Sequence, residues 1–126
     1  MSKKLTLGYS TLAERVATLV EPPTNPNWET VLVVQNPHQV AWQGETFQNL
    51  AQRENFRFEE LQSKGVAKSR NRAIDLAQGE YLIFSDDDIT FSATGLQEAI
   101  DYLDANPHLS LLLWQPTDGA GVLRRQ

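Results

Sequence analysis

The chain has 126 residues, room for one domain built on one hydrophobic core. A hydrophobic fraction of 40% with three tryptophans excludes a disordered chain, and a net charge of −5 argues against nucleic acid or an anionic membrane as the main partner. The absence of cysteine excludes disulfides and thiolate metal sites.

The N-terminal MSKKLTLG lacks a signal peptide's apolar stretch, and no apolar run reaches bilayer length, so a cytoplasmic protein is expected. Leu5 to Tyr9 alternates apolar and small residues as a first strand. Ser10 or Thr11 can cap a following helix, with Glu14 completing a capping box and Leu12, Val16, Leu19 and Val20 as its buried stripe. Pro22-Pro23 stops that helix, and Val31 to Val34 forms a second strand ending at Gln35-Asn36-Pro37. Strand, helix and strand in this order predict a right-handed βαβ unit. Thr46 to Arg53 has weak helical periodicity, and Phe56-Arg-Phe58 alternates as an edge strand.

Val66 to Gln78 carries Val66, Ala73, Ile74 and Ala77 at helical spacing, with Gly79 as a left-handed stop. Arg70 falls on that stripe, whereas Arg72 is expected on a solvated face. Tyr81 to Phe84 is short and apolar, as a strand covered on both faces would be. Thr94 can cap a helix striped by Leu96, Ala99, Ile100 and Leu103, which ends before Pro107. Leu109 to Trp114 is a fifth, very apolar strand, and the tail 115–126 gives no confident element. The whole predicts a single α/β domain over residues 1–126, a three-layer sandwich with a mostly parallel central sheet. In such sheets ligands bind beyond the carboxyl ends of the strands, which sets Ser10, Gln35, Asn36 and Asp86 to Asp88 along one rim.

Asp86, Asp87 and Asp88 follow the buried strand directly, and three adjacent acids repel one another unless a cation or ligand offsets the repulsion. Strand alternation puts Asp86 and Asp88 on one side, an oxygen pair that suits Mg²⁺ or Mn²⁺. Trp42 and Trp114 are expected to pack rather than to stack on a ligand, and His38 and His108 have no spacing that links them to a triad or metal site.

Gly65, Ala67, Arg70 and Asn71, then Gly79, Glu80, Tyr81 and Asp86 to Asp88, stand in the order of a "G-x-a-x-x-R-N" helix followed by "G-E-Y-(apolar)₃-x-D-D-D". In this the chain resembles the family 2 glycosyltransferases of GT-A fold, over about Leu5 to Trp114, their N-terminal nucleotide-sugar-binding half. The resemblance implies a truncated GT-A, Rossmann-like domain that binds a nucleotide-diphospho-sugar through a metal at a D-x-D motif and passes the sugar, with inversion, to an unknown acceptor. It implies Ser10, Gln35, Asn36, Arg70, Asp86 and Asp87 as donor-binding residues and Asp86 and Asp88 as ligands of Mg²⁺ or Mn²⁺. Family members usually carry Asp near the end of the second strand; here the amides of Gln35 and Asn36 offer a base edge both donors and an acceptor. No residue is identified as the catalytic base. The alternative is a non-catalytic nucleotide- or sugar-binding module, or an interaction module, derived from a truncated enzyme of this kind. An apolar strand as exposed as Leu109 to Trp114 would be, followed by a glycine-rich tail, further predicts a homo-oligomer, most simply a dimer.

Overall fold

The computed structural model describes residues 3–86, 91–108, 111–113 and 121–124. Its elements in chain order are β1 (Lys3–Leu12), a 3₁₀-helix (Ala13–Thr18), β2 (Trp28–Gln35), α1 (Glu45–Ala51), β3 (Phe56–Leu61), α2 (Val66–Leu76), β4 (Gly79–Asp86), α3 (Ala93–Ala105), β5 (Leu111–Leu113) and β6 (Gly121–Arg124). The sheet has the order β3-β2-β1-β4-β6-β5. The first four strands of that order are parallel, while β6 is antiparallel to both β4 and β5. The predicted α/β sandwich with a mostly parallel sheet is therefore the observed fold.

All eight residues of β2 are buried, which accounts for its near-continuous apolar run. Alternation along β1 sends Leu5, Leu7 and Tyr9 into the larger core, with Val16 of the 3₁₀-helix, Phe47 and Leu50 of α1, and Leu96, Ile100 and Leu103 of α3. The other face meets α2, where Val31, Val33 and Ala73 form a smaller core joined by Leu61, Leu76 and Phe84. Gly8 of β1 lies against this second layer: a Cβ there would stand 3.3 Å from a Leu82 methyl and 3.6 Å from the Ala73 Cβ.

Four local expectations are corrected. The first helix is a 3₁₀-helix with no side-chain cap, because Ser10 and Thr11 both belong to β1. Its buried positions are Ala13 and Val16, followed by Leu19, a spacing of three that matches three residues per turn, and Val20 is exposed. The cap of α3 is Ser92, whose Oγ accepts the Gly95 N–H at 2.9 Å, in place of Thr94; the predicted stripe of that helix is fully buried. Gly79 is not a left-handed stop. α2 ends at Leu76 with Ala77 extended, and Gly79 opens β4 where a Cβ would meet the Thr6 nitrogen at 2.6 Å.

The fourth correction concerns the tail. Residues 121–124 form β6 between β4 and β5, so the strand expected to need a second copy has a partner within the chain along one edge. On its other side β5 is the outermost strand. Leu109, Ser110 and Trp114 lie outside the described residues.

At the amino end of the sheet a buried polar cluster ties α2 to β1, β2 and β3. Glu29, 5% exposed, accepts from the Thr6 hydroxyl and the Gln78 N–H at 2.5 Å each, and from Arg57 at 2.8 Å. Thr6 in turn accepts the Gly79 N–H at 2.8 Å, and Arg57 also donates to the Leu76 carbonyl at the end of α2.

Candidate functional site

The strand order supplies a location. From β1 the chain builds outward to β2 and β3 on one side, then crosses by α2 to β4 on the other. The reversal lies between β1 and β4, and open α/β sheets bind ligands beyond the strand ends at such a point. Here Ser10 and Asp86 are register partners at the carboxyl ends of β1 and β4. The acids 87 and 88 continue from β4 and lie outside the described residues.

Ser10 and Gln35 are hydrogen-bonded to each other at this rim. Gln35 donates through Nε2 to the Ser10 hydroxyl at 3.1 Å, and Ser10 donates to the Ser69 hydroxyl at 2.8 Å. Gln35 Oε1 accepts the Gly65 N–H at 2.6 Å, just ahead of α2. One amide thus ties the end of β2 to the end of β1 and to the start of α2. With Oε1 held by a backbone N–H, the Gln35 amide has a fixed orientation. Ser69, fully buried, is a member of this network that sequence reasoning missed. Its signal was available: Ser69, Ala73 and Ala77 recur at intervals of four and form the buried face of the helix.

That phase corrects the two arginines. Arg70 is exposed, one residue round the helix from Ser69, with its guanidinium 5.6 Å from the centre of the Phe84 ring. This cation–π contact places the charge over β4, two residues before Asp86. Arg72 is the one engaged by the protein: Nε and Nη2 grip the Glu59 carboxylate of β3 as a fork, with Nη2 to Oε1 at 2.7 Å. Arg70 has no ion pair among the described residues.

Asn36 stands at the rim but turns to the adjoining loop. Its Oδ1 accepts the Val40 N–H at 2.9 Å, while Nδ2 donates to the Val40 carbonyl and to Glu60, both at 2.9 Å. At 2% exposure, the amide spends its bonding capacity on holding residues 36–40, where Gln39 adopts a left-handed φ of 55°. Glu60 also accepts the Trp42 indole N–H at 2.9 Å. Trp42 packs edge-on against Phe47 at 4.8 Å and Phe58 at 5.7 Å, the packing role expected of it. Loop and strand together border a cleft of about 570 Å³ lined by Asn36, Trp42, Glu60 and Gln62 among others.

The donors around Glu60 have a consequence for pH. Trp42, then Asn36 and Gln62, hold its carboxyl below the ordinary carboxylate value, and Arg72 does the same for Glu59. A carboxyl with a depressed folded-state pKa contributes stability above its unfolded pKa of about 4.3 and loses it as pH falls through the folded value. Acidification from pH 5 to about 3 is therefore expected to loosen the 36–42 loop. Trp42 fluorescence should shift to the red over that window, and Glu60→Gln should remove the shift.

Residues 8–125 match the family described as Glycosyl transferase family 2. A comparison with curated proteins finds no match. Among solved structures, the mannosyltransferase PcManGT from Pyrobaculum calidifontis, in complex with GDP-Man and Mn²⁺, superposes with a TM-score of 0.76 at 15% identity, covering 99% of this chain and 45% of that one. S. aureus TarS 1-349 gives 0.71 at 18% identity, covering 96% of this chain and 47% of that one. The same protein in complex with UDP-GlcNAc gives 0.66 at 21% identity, covering 87% and 33%. The chain spans less than half the length of each, and at these identities the likeness is one of fold. Among the described residues no helix is long and apolar enough to cross a membrane. With a sequence match from Gly8 almost to the end and a GT-A architecture to go with it, the chain belongs to glycosyl transferase family 2.

Proposed function

We propose that the chain binds a nucleotide-diphospho-sugar at the rim between β1 and β4 and forms the donor-binding part of an inverting glycosyltransferase. The single observation that carries this is the juxtaposition of Ser10 and Asp86 at the point where the strand order reverses. Support comes from the neighbours named above, which were solved with UDP-GlcNAc and with GDP-Man and Mn²⁺. The start of α2 adds to it. Its N-cap, Gly65, makes no side-chain cap and no acid stands in the first turn, so the helix offers N–H groups and a positive dipole end toward the rim.

In this reading the Gln35–Ser10–Ser69 network fixes the floor of the nucleoside site, and Arg70 supplies an exposed cation for the phosphates. Asn36 acts one step removed, by shaping the loop beside the floor. The donor set of Asp86, Asp87 and Asp88 is all carboxylate oxygen, in a chain without cysteine, and fits a hard divalent cation. Asp86 and Asp88 would hold it. Such an ion supplies Lewis-acid stabilisation of a departing diphosphate. The rim residues of this chain bind and orient the donor.

Calorimetry with UDP, GDP and dTDP, each with and without Mn²⁺, tests the proposal. At least one nucleotide is expected to bind with metal dependence, and Asp88→Asn to abolish most of that dependence, with Asp87→Asn mattering less. Arg70→Ala should weaken binding about 10- to 100-fold, the worth of a charged hydrogen bond, while Arg72→Ala changes it less than about threefold. Silence from all three nucleotides would sink the reading. Binding without sugar transfer would favour the non-catalytic alternative.

A further inference from the structure

The opposite end of the sheet carries a second cleft, of about 340 Å³, between the loop of residues 23–26 and the turn of residues 53–55. Its floor is the start of β2. There Trp28 is 5% exposed and Thr30 is 6% exposed, and both line the cleft. Neither the Trp28 indole N–H nor the Thr30 hydroxyl bonds to any of the described residues, although no sealed side-chain nitrogen or oxygen among those residues lacks a partner. The two groups therefore retain access to solvent, and the cleft is the space that both residues border. A ligand in the cleft can therefore hydrogen-bond to either group without displacing a bond within the protein.

The remaining lining defines the chemistry. Arg53 has one nitrogen on the Pro22 carbonyl at 2.9 Å and further N–H groups beyond it. Glu54 adds an acceptor-only carboxylate, and Asn55 adds an amide that both donates and accepts. Arg53 and Glu54 contribute one positive and one negative group, so the lining as a whole carries no net charge. A neutral molecule whose polar groups donate and accept side by side satisfies all five residues, and Pro23 and Pro26 present apolar surface to its C–H faces. That description is a polyhydroxylated ring. The volume sits at the small end of the range for small-molecule sites, roughly 300–1,000 Å³.

We infer that this cleft binds a saccharide unit, at a site separate from the nucleotide rim. β2 is eight residues long and has the cleft at its start and Gln35 at its end, which sets the two sites on the order of 20 Å apart. A sugar held here is a neighbouring unit of a longer glycan or a free saccharide, not the moiety in transfer at the rim.

Titration of the ¹⁵N-labelled full chain with the methyl glycosides of glucose, mannose and N-acetylglucosamine tests the inference, with sodium acetate and methylammonium chloride as charged probes. The Trp28 indole signal, assigned through Trp28→Phe, is expected to move with at least one glycoside and with neither charged probe, while the Trp42 indole stays in place. Thr30→Val keeps the side-chain shape and should weaken that glycoside about three- to tenfold, the worth of one neutral hydrogen bond. It should leave nucleoside diphosphate binding at the rim unchanged, so that failure at one site is not mistaken for failure at the other. No movement with any glycoside at about 100 mM, movement with acetate alone, or indifference to Thr30→Val would each overturn the inference.

Discussion

Replacing Glu29 with alanine is expected to destabilise the fold by about 2–4 kcal/mol, the cost of leaving donors at the joint of the layers without their acceptor. Glu29 is 5% exposed and receives three donors, from Thr6, Gln78 and Arg57. Alanine would leave the Gln78 N–H and the Thr6 hydroxyl without an acceptor and take away the counter-charge of Arg57. Those donors span β1, β3 and the junction of α2 with β4, so the loss falls on the joint between the layers. A domain of this size has about 5–15 kcal/mol in total, and the variant should unfold at markedly lower urea with an unchanged slope. Glu29→Gln should cost less. Its one oxygen can keep Thr6 and Gln78, while Arg57, with a side chain 35% exposed, can turn toward water. A loss under about 1 kcal/mol for the alanine variant would show that the cluster does not hold the joint.

The second large effect is expected at Gly79. A Cβ added there would lie 2.6 Å from the Thr6 nitrogen, 2.7 Å from the Leu5 carbonyl carbon and 2.7 Å from the Thr6 Oγ1. Two of these three obstacles are backbone of β1, which cannot rotate aside as a side-chain end can. The third is the acceptor for the Gly79 N–H itself. Alanine must therefore push β4 away from β1 at the first rung of their ladder, and overpacking of this kind costs about 1–3 kcal/mol or somewhat more. Gly44→Ala is the matched control. Nothing stands within 4 Å of a Cβ at Gly44 and its φ of −87° suits any residue, so chemical denaturation should find it within about 0.5 kcal/mol of the parent. Equal stability of the two variants would refute the steric account of Gly79.

Local sequence pattern alone specified the layered α/β fold, the parallel strands and the rim on which Ser10, Gln35 and Asp86 stand. It could do so because those features depend on local periodicity: apolar runs for β2 and β4, a four-residue stripe for α3, and glycine and proline at the breaks. The rule that ligands sit beyond strand ends then needs only strand direction. Wherever one local pattern served two outcomes, tertiary contacts decided. Residues 13–18 could wind as an α-helix or a 3₁₀-helix, and spacing with Leu19 against the core chose the tighter form. The stripe drawn through Val66, Ala73, Ile74 and Ala77 put Arg70 on the buried side and Arg72 in solvent, and only the contacts of Ser69 with the sheet and of Glu59 with Arg72 set the true phase. Gly79 looked like a helix stop because glycine permits a left-handed turn; it is glycine because β1 passes against it. Glu29 gave no signal at all, since its partners lie 23, 28 and 49 residues away and only the folded chain brings them to one carboxylate. The same holds for β6. Four residues of an unremarkable tail became a strand because β4 and β5 left an unpaired edge on either side of them, and a backbone that needs partners takes them from whatever the topology brings near.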